Sequence, residues 1–406
     1  MAKTFIGGLR CRSRFLPDTD AVRAVPDTLL YRLAPDRPHP AVGESVIRGG
    51  VLAPATAVEA AVLAGASGTV TSVLVDPEAV TVTVTVTGDG EVHRFPPPDT
   101  GLAELSADAI AALLRERGIA LPPVTAERPK QLFVDTAGDD PAVDTRAFIS
   151  LRDPDAVVGG ARILMKYFGV RRCRFAVPDT AIPVARAIES RLPRGGQMLR
   201  VAVLPDKYPL SEPRLLISAL CQLEIHPAID PAAIGYYVVP ATLCAAVYEA
   251  LVNGIPYTEA PLTLLNERDD EPSCVVVAPF GSPCEALFRA VGITVAESDP
   301  LACGGSYRRT VLNGTERTVP AMESLILTAP VKRRFRRLER CVGCGRCQEV
   351  CPMHLVPSRL YETRKVPPMF HRYAPENCIG CGCCTASCPA GLPLAETILT
   401  VRGETP

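Results

Sequence analysis

Residues Thr81-Val82-Thr83-Val84-Thr85-Val86-Thr87 alternate strictly, placing valine on one face and threonine on the other, and predict a half-buried β-strand closed by the turn residues Gly88-Asp89-Gly90. Ala66–Val70 and Ser72–Val75 have the same β-rich, glycine-punctuated character, so residues 1–95 are expected to be β. The period changes near residue 107. Ala109, Ile110, Ala112, Leu113 and Leu114 line one face of a helix over Ala107–Arg117, with Ser106 as N-cap. From 131 to 265 short apolar runs alternate with helical stretches. Strands are expected at Gln131–Asp135, Arg174–Val177, Leu199–Leu204 and Gly235–Val239, and helices at Ala156–Phe168, Ile182–Arg191, Arg214–Gln222 and Ala241–Val252. That alternation predicts an α/β layer around a mainly parallel sheet. Residues 270–330 return to β with one helix over Pro283–Val291, and further helices are expected at Leu355–Arg364 and Leu394–Val401.

Composition sharpens this outline. The 406 residues suffice for two to four domains. With no Trp and 5% aromatic residues, aliphatic side chains must fill the cores, and 40 prolines imply many short elements with rigid connections. Of 16 cysteines, nine fall between 341 and 388, and the other seven are scattered singly, as reduced core residues of a cytosolic protein are. The start of the chain has no apolar signal region and no run of 18 apolar residues occurs, so a cytoplasmic location is expected.

The clustered cysteines carry the chemistry. Cys341-x-x-Cys344-x-x-Cys347-x-x-x-Cys351-Pro352 is repeated as Cys378-x-x-Cys381-x-x-Cys384-x-x-x-Cys388-Pro389. This is the bacterial ferredoxin spacing, in which three close cysteines serve one 4Fe-4S cluster and the fourth serves the other. The first cluster is therefore assigned Cys341, Cys344, Cys347 and Cys388, and the second Cys378, Cys381, Cys384 and Cys351. A zinc site or a disulfide set is the alternative, but zinc motifs separate their cysteine pairs by a dozen or more residues. Cys383 is expected to be a small buried hydrophobe rather than a ligand. The five histidines form no i, i+4 pair, and no Ser/His/Asp or nucleophilic cysteine constellation emerges.

Charge is uneven. Residues 331–406 carry a net of +6, which leaves −7 on the remainder, and the excess begins at Lys332-Arg333-Arg334-Phe335-Arg336-Arg337. This run is a solvated linker that offsets the negative charge of thiolate-bound clusters, or else a docking patch for an acidic redox partner such as a ferredoxin or flavodoxin. Nucleic acid is not indicated, because no aromatic residues are interleaved with the basic ones.

The cysteine region (CVGCGRCQEVCPMHLVP and CIGCGCCTASCPAGLPL), together with VAVLPDKYPL (201–210), the helix ATLCAAVYEALVNGIP (241–256) and LACGGSYRR (301–309), resembles the C subunit of the Rnf electron-transport complex and, more loosely, the flavin-binding subunit of respiratory complex I. The resemblance implies four domains: a barrel-sandwich β domain (1–100), also suggested by a likeness of residues 66–75 to lipoyl-type barrels; a Rossmann-like α/β domain (101–265); an SLBB-like β-grasp module that binds a soluble ligand (266–330); and a twin 4Fe-4S domain (331–406). The departures are informative. The family's flavin domain has a loop of the type GxGGAGFP that cradles FMN phosphate. Here the matching segment reads Gly118-Ile119-Ala120-Leu121-Pro122-Pro123, and proline has no N–H to donate. The family's acidic AECEP run reads Ala137-Gly138-Asp139-Asp140-Pro141. FMN and NAD(H) binding is therefore not expected. The chain is expected to relay single electrons through two 4Fe-4S clusters between outside redox partners (a ferredoxin, a flavodoxin or a flavoprotein reductase subunit). It is expected to have no catalytic residues of its own, and to work in solution or as a peripheral part of a membrane complex. The alternative is an FMN-dependent NADH:acceptor oxidoreductase subunit.

Overall fold

The computed structural model describes residues 4–11, 21–88, 90–98, 101–138, 140–141, 145–193, 198–266, 274–295, 299, 301–304, 307–312, 318–319, 325–328 and 340–403. The basic run Lys332–Arg337 and Asp139 lie outside them.

The N-terminal β layer is a four-stranded antiparallel sheet that contains Thr28–Leu33, Val80–Gly88 and Ser67–Val75, beside a two-stranded ribbon of Val51–Ala53 and Val62–Leu63. Val80, Val82 and Val84 are buried together with Leu29, Tyr31 and Val70, and Thr87 is exposed, as the alternating pattern predicts; Thr83 and Thr85 are half-buried, and Thr81 departs from the pattern by being buried. The Tyr31 hydroxyl, buried among these side chains, accepts from the Gly65 N–H at 2.7 Å.

The central layer is a parallel sheet in the order 199–204, 173–178, 131–135, 236–240. One face, with Leu132, Val134, Phe175 and Val177, packs on helices Ala107–Glu116, Pro154–Tyr167 and Ala241–Val252. The other, with Phe133 and Ala176, packs on helix Pro213–Cys221. Burial on both faces of the two central strands accounts for their apolar Leu132–Val134 and Phe175–Val177 stretches. Ser106 caps the first helix by accepting from the Ala109 N–H at 3.1 Å, as its sequence implies.

Two features depart from the sequence outline. Glu259–Asn266 belongs to the following six-stranded sheet, pairing with Cys274–Pro279 and Leu325–Thr328, so the boundary expected at 265 falls inside a strand. The N-terminal segment also leaves the first β layer: Leu9–Arg10 pairs with Lys207–Tyr208, and Val22–Arg23 pairs with Cys274–Pro279. Strand-like sequence predicts that a segment pairs, not with what. Among the described residues, no helix is long and apolar enough to cross a membrane.

Candidate iron–sulfur centre

The two cysteine runs fold alike. Each passes through a glycine with positive φ, Gly345 at +77° and Gly382 at +78°, into a one-turn helix, Arg346–Glu349 or Cys383–Ala386. The turn aims backbone donors at sulfur. The Gly343 N–H reaches Cys341 Sγ at 3.4 Å, the Gly380 N–H reaches Cys378 Sγ at 3.4 Å, and the Leu355 N–H reaches Cys351 Sγ at 3.3 Å. Such donors stabilise anionic thiolate.

Cys351, the last cysteine of the first run, lines one small cavity with Cys378, Cys381 and Cys384 of the second, walled by Leu355, Pro357 and Ile398. Cys388, the last of the second run, packs with Cys341 and Cys347 against Ala390, Leu392 and Leu394, in a cluster that Cys384 of the second run also joins. Cys344 is an electrostatic neighbour of Cys347. The two groups differ in burial. In the second group Cys351, Cys381 and Cys384 are buried and Cys378 half-buried; in the first only Cys347 is buried, Cys341 and Cys388 are half-buried and Cys344 is exposed.

Burial pushes the Cys378 thiol up to about 11, and pushes Cys351 and Cys384 up as well, each helped by neighbouring thiols. Cys381 moves the other way, because the Cys383 thiol hydrogen-bonds to it and favours its thiolate. Cys383 is fully buried, as expected, but it is also a polar neighbour of a predicted ligand. Among the described residues, no three His, Cys, Asp or Glu side chains converge on a single-ion site.

The more buried group abuts the rest of the molecule. The Tyr208 hydroxyl donates to the Cys381 carbonyl, and its ring lies 4.9 Å from that of Tyr307. The Gly8 N–H donates to the Val350 carbonyl at 2.9 Å, and Phe5 packs with Met353 and Ile379. Sequence reasoning missed Tyr208 as a neighbour of the site. The only signal was its place in VAVLPDKYPL, one of the segments that carries the family resemblance.

The loop where the resemblance places FMN phosphate has another character. The Gly118 and Ile119 N–H groups are spent on the preceding helix, donating to Arg115 and Leu114 carbonyls at 3.2 and 2.8 Å. Pro122 and Pro123 have none, and the Pro122 carbonyl instead accepts from the Tyr167 hydroxyl at 3.0 Å. The buried Arg117 guanidinium is turned away to the Ala250 and Pro96 carbonyls. At the carboxyl edge of the sheet stand Asp135, Asp140, Asp179 and Asp206. Asp135 is ion-paired with Arg146 and accepts from the Ala137 N–H at 2.7 Å; Asp206 accepts from the Thr180 hydroxyl. Segment 118–123 does not fit a phosphate cradle of the family's glycine-rich kind: two of its N–H groups are spent on the helix and two of its positions are proline.

Comparison with known proteins follows the same division. Residues 340–392 match the family described as "4Fe-4S dicluster domain", and residues 117–249 match the "Nuo51 FMN-binding domain". The C subunit of the proton-translocating ferredoxin:NAD(+) oxidoreductase complex of Clostridium ljungdahlii is 25% identical over 80% of this chain and 75% of its own length. The C subunit of the ion-translocating oxidoreductase complex of Pseudomonas aeruginosa is 26% identical over 81% of this chain and 45% of its own. The C subunit of the Na(+)-translocating ferredoxin:NAD(+) oxidoreductase complex of Acetobacterium woodii is 24% identical over 64% and 61%. The chain thus spans three quarters of the first relative and less than two thirds of the other two.

Proposed function

We propose that this chain, an RnfC-like protein with a complex I flavin-subunit-like central domain, is an iron–sulfur electron-transfer subunit of an ion-translocating ferredoxin:NAD oxidoreductase-type complex. The observation that carries this is the placing of the last cysteine of the first run: Cys351 lines one cavity with Cys378, Cys381 and Cys384, while Cys388 packs near Cys341 and Cys347 in a cluster that Cys384 borders. This supports two 4Fe-4S sites with the ligand sets assigned from spacing. When bound, the clusters supply one-electron transfer. The chain's residues hold them through eight thiolates, direct N–H groups at sulfur, and exclude water from the second site with Leu355, Pro357 and Ile398.

The N-terminal β layer, the α/β layer and the six-stranded sheet are read as barrel-sandwich, Rossmann-like and β-grasp (SLBB-like) units that dock the cluster domain. The exposed first site is the port for a protein redox partner, a ferredoxin, flavodoxin or flavoprotein subunit, and the protein works in the cytoplasm or on the cytoplasmic side of a membrane complex.

Anaerobically purified protein is expected to carry about eight iron and eight sulfide. Bound zinc with iron near zero would sink the assignment. The second reading, an FMN-dependent NADH:acceptor oxidoreductase, is favoured by the Nuo51-type match at 117–249. The two spent N–H groups and two prolines of segment 118–123 argue against it, and support electrons arriving from outside the chain. A flavin absorbance band that survives gel filtration, with clusters bleached by NADH, decides for this alternative.

A further inference from the structure

At the amino edge of the parallel sheet, opposite the carboxylate-bearing edge, lies a cavity of about 450 Å³ whose lining includes Gln131, Arg171, Arg172, Arg174, Met198 and Arg200. Its volume falls in the range of about 300–1,000 Å³ usual for small-molecule sites. Four arginines line it and no carboxylate does. Arg174 and Arg200 are direct cross-strand partners in the parallel pairing, so two like charges are held side by side, an arrangement that is unfavourable unless an anion lies between them. The Arg174 guanidinium is anchored by donating to the Leu220 carbonyl at 2.7 Å, at the end of helix Pro213–Cys221. Arg171, Arg172 and Arg200 are exposed and enter no ion pair among the described residues.

A second, independent observation sits at the edge of the sheet. Gln131 is 6% exposed, and its Nε2 amide nitrogen is buried without a hydrogen-bond partner. A buried donor left unpaired costs about 1–3 kcal/mol. Solvated arginines need no explanation, but an orphaned amide beneath them does. An anion in the cavity would accept from Gln131 and from the guanidinium forks, which match phosphate oxygens in pairs.

We propose that this cavity binds a small phosphate-bearing molecule, with phosphate oxygens accepting from Gln131 Nε2 and from Arg171, Arg172 and Arg200. A concave site with a buried donor favours a small polyanion over an acidic protein surface, which would reach the exposed arginines but not Gln131. The proposal is independent of the clusters and of the segment 118–123.

The test uses the intact protein with its clusters, inorganic pyrophosphate as probe, and calorimetry at physiological ionic strength. Saturable binding of one pyrophosphate is expected, weakened about tenfold or more by Arg171→Ala and by Arg200→Ala. Gln131→Leu is expected to weaken binding while leaving the melting temperature unchanged or raised, because it removes an unpaired buried group. No saturable binding at millimolar pyrophosphate overturns the proposal. Binding that polyglutamate matches, and that Gln131→Leu leaves untouched, also overturns it, in favour of an acidic protein face.

Discussion

Gly345 and Gly382 occupy the same place in the two cysteine runs and have φ of +77° and +78°, yet a methyl group on Gly345 would meet nothing within 4 Å, while one on Gly382 would clash with the Tyr307 carbonyl oxygen. The contrast is repeated at the second cysteine of each run, while the first and third cysteines match in burial. Cys344 is exposed and its counterpart Cys381 is buried beneath Tyr208. The same cysteine and glycine spacing thus builds two similar turns, and the surroundings leave the first more exposed and set the second against Tyr208 and Tyr307. For electron transfer the difference matters, because potential depends on hydrogen bonds and solvent exposure around the sulfurs.

The comparison can be tested most severely at the ligands. Cys344→Ser and Cys384→Ser are each expected to lower bound iron from about eight toward about four per chain. Only Cys384→Ser should also loosen the docking of the cluster domain on Tyr208, read as faster proteolysis between the domains. Equal proteolysis in the two variants would break the proposed asymmetry.

Backbone substitutions follow in size. Gly382→Ala combines a strained left-handed backbone with a clash against Tyr307 and should destabilise by about 2–4 kcal/mol, whereas Gly345→Ala carries only the backbone term, about 1–2 kcal/mol. Denaturant unfolding of the holoprotein measures both, and similar losses would show that the Tyr307 contact is not rigid.

Tyr208→Phe removes one hydrogen bond, to the Cys381 carbonyl, and should cost about 1 kcal/mol. It should also shift the potential of one cluster in an EPR-monitored redox titration and leave the other unmoved. A shift in both clusters, or in neither, would contradict the placement of Tyr208 beside a single site. The smallest effect is kinetic: a chelator with mild oxidant is expected to bleach cluster absorbance in two phases, the solvent-facing site first. A single phase would erase the contrast.

Much of the fold was legible along the chain because its signals are local. The helix Ala241–Val252 falls where its apolar run places it, and the strand Gln131–Asp135 where the apolar run Leu132-Phe133-Val134 stands between polar neighbours. The helix Thr145–Arg152 was not foreseen: Thr145, Arg146 and Ser150 are buried polar residues, so its inward face does not look apolar. Arg146 is buried because Asp135, on a strand, pairs with it.

Residue order was enough to specify the two cysteine runs, the glycine turns that present their sulfurs and the alternation of strands and helices, since each depends on neighbours within about one turn or one strand. It did not specify that Leu9–Arg10 would pair with Lys207–Tyr208, that Tyr208 would cover only one of the two thiolate groups, or that arginines at the ends of separate strands would surround Gln131. Those arrangements join residues far apart in the chain, and only packing of whole layers, which decides what surface each element has left to cover, brings them together.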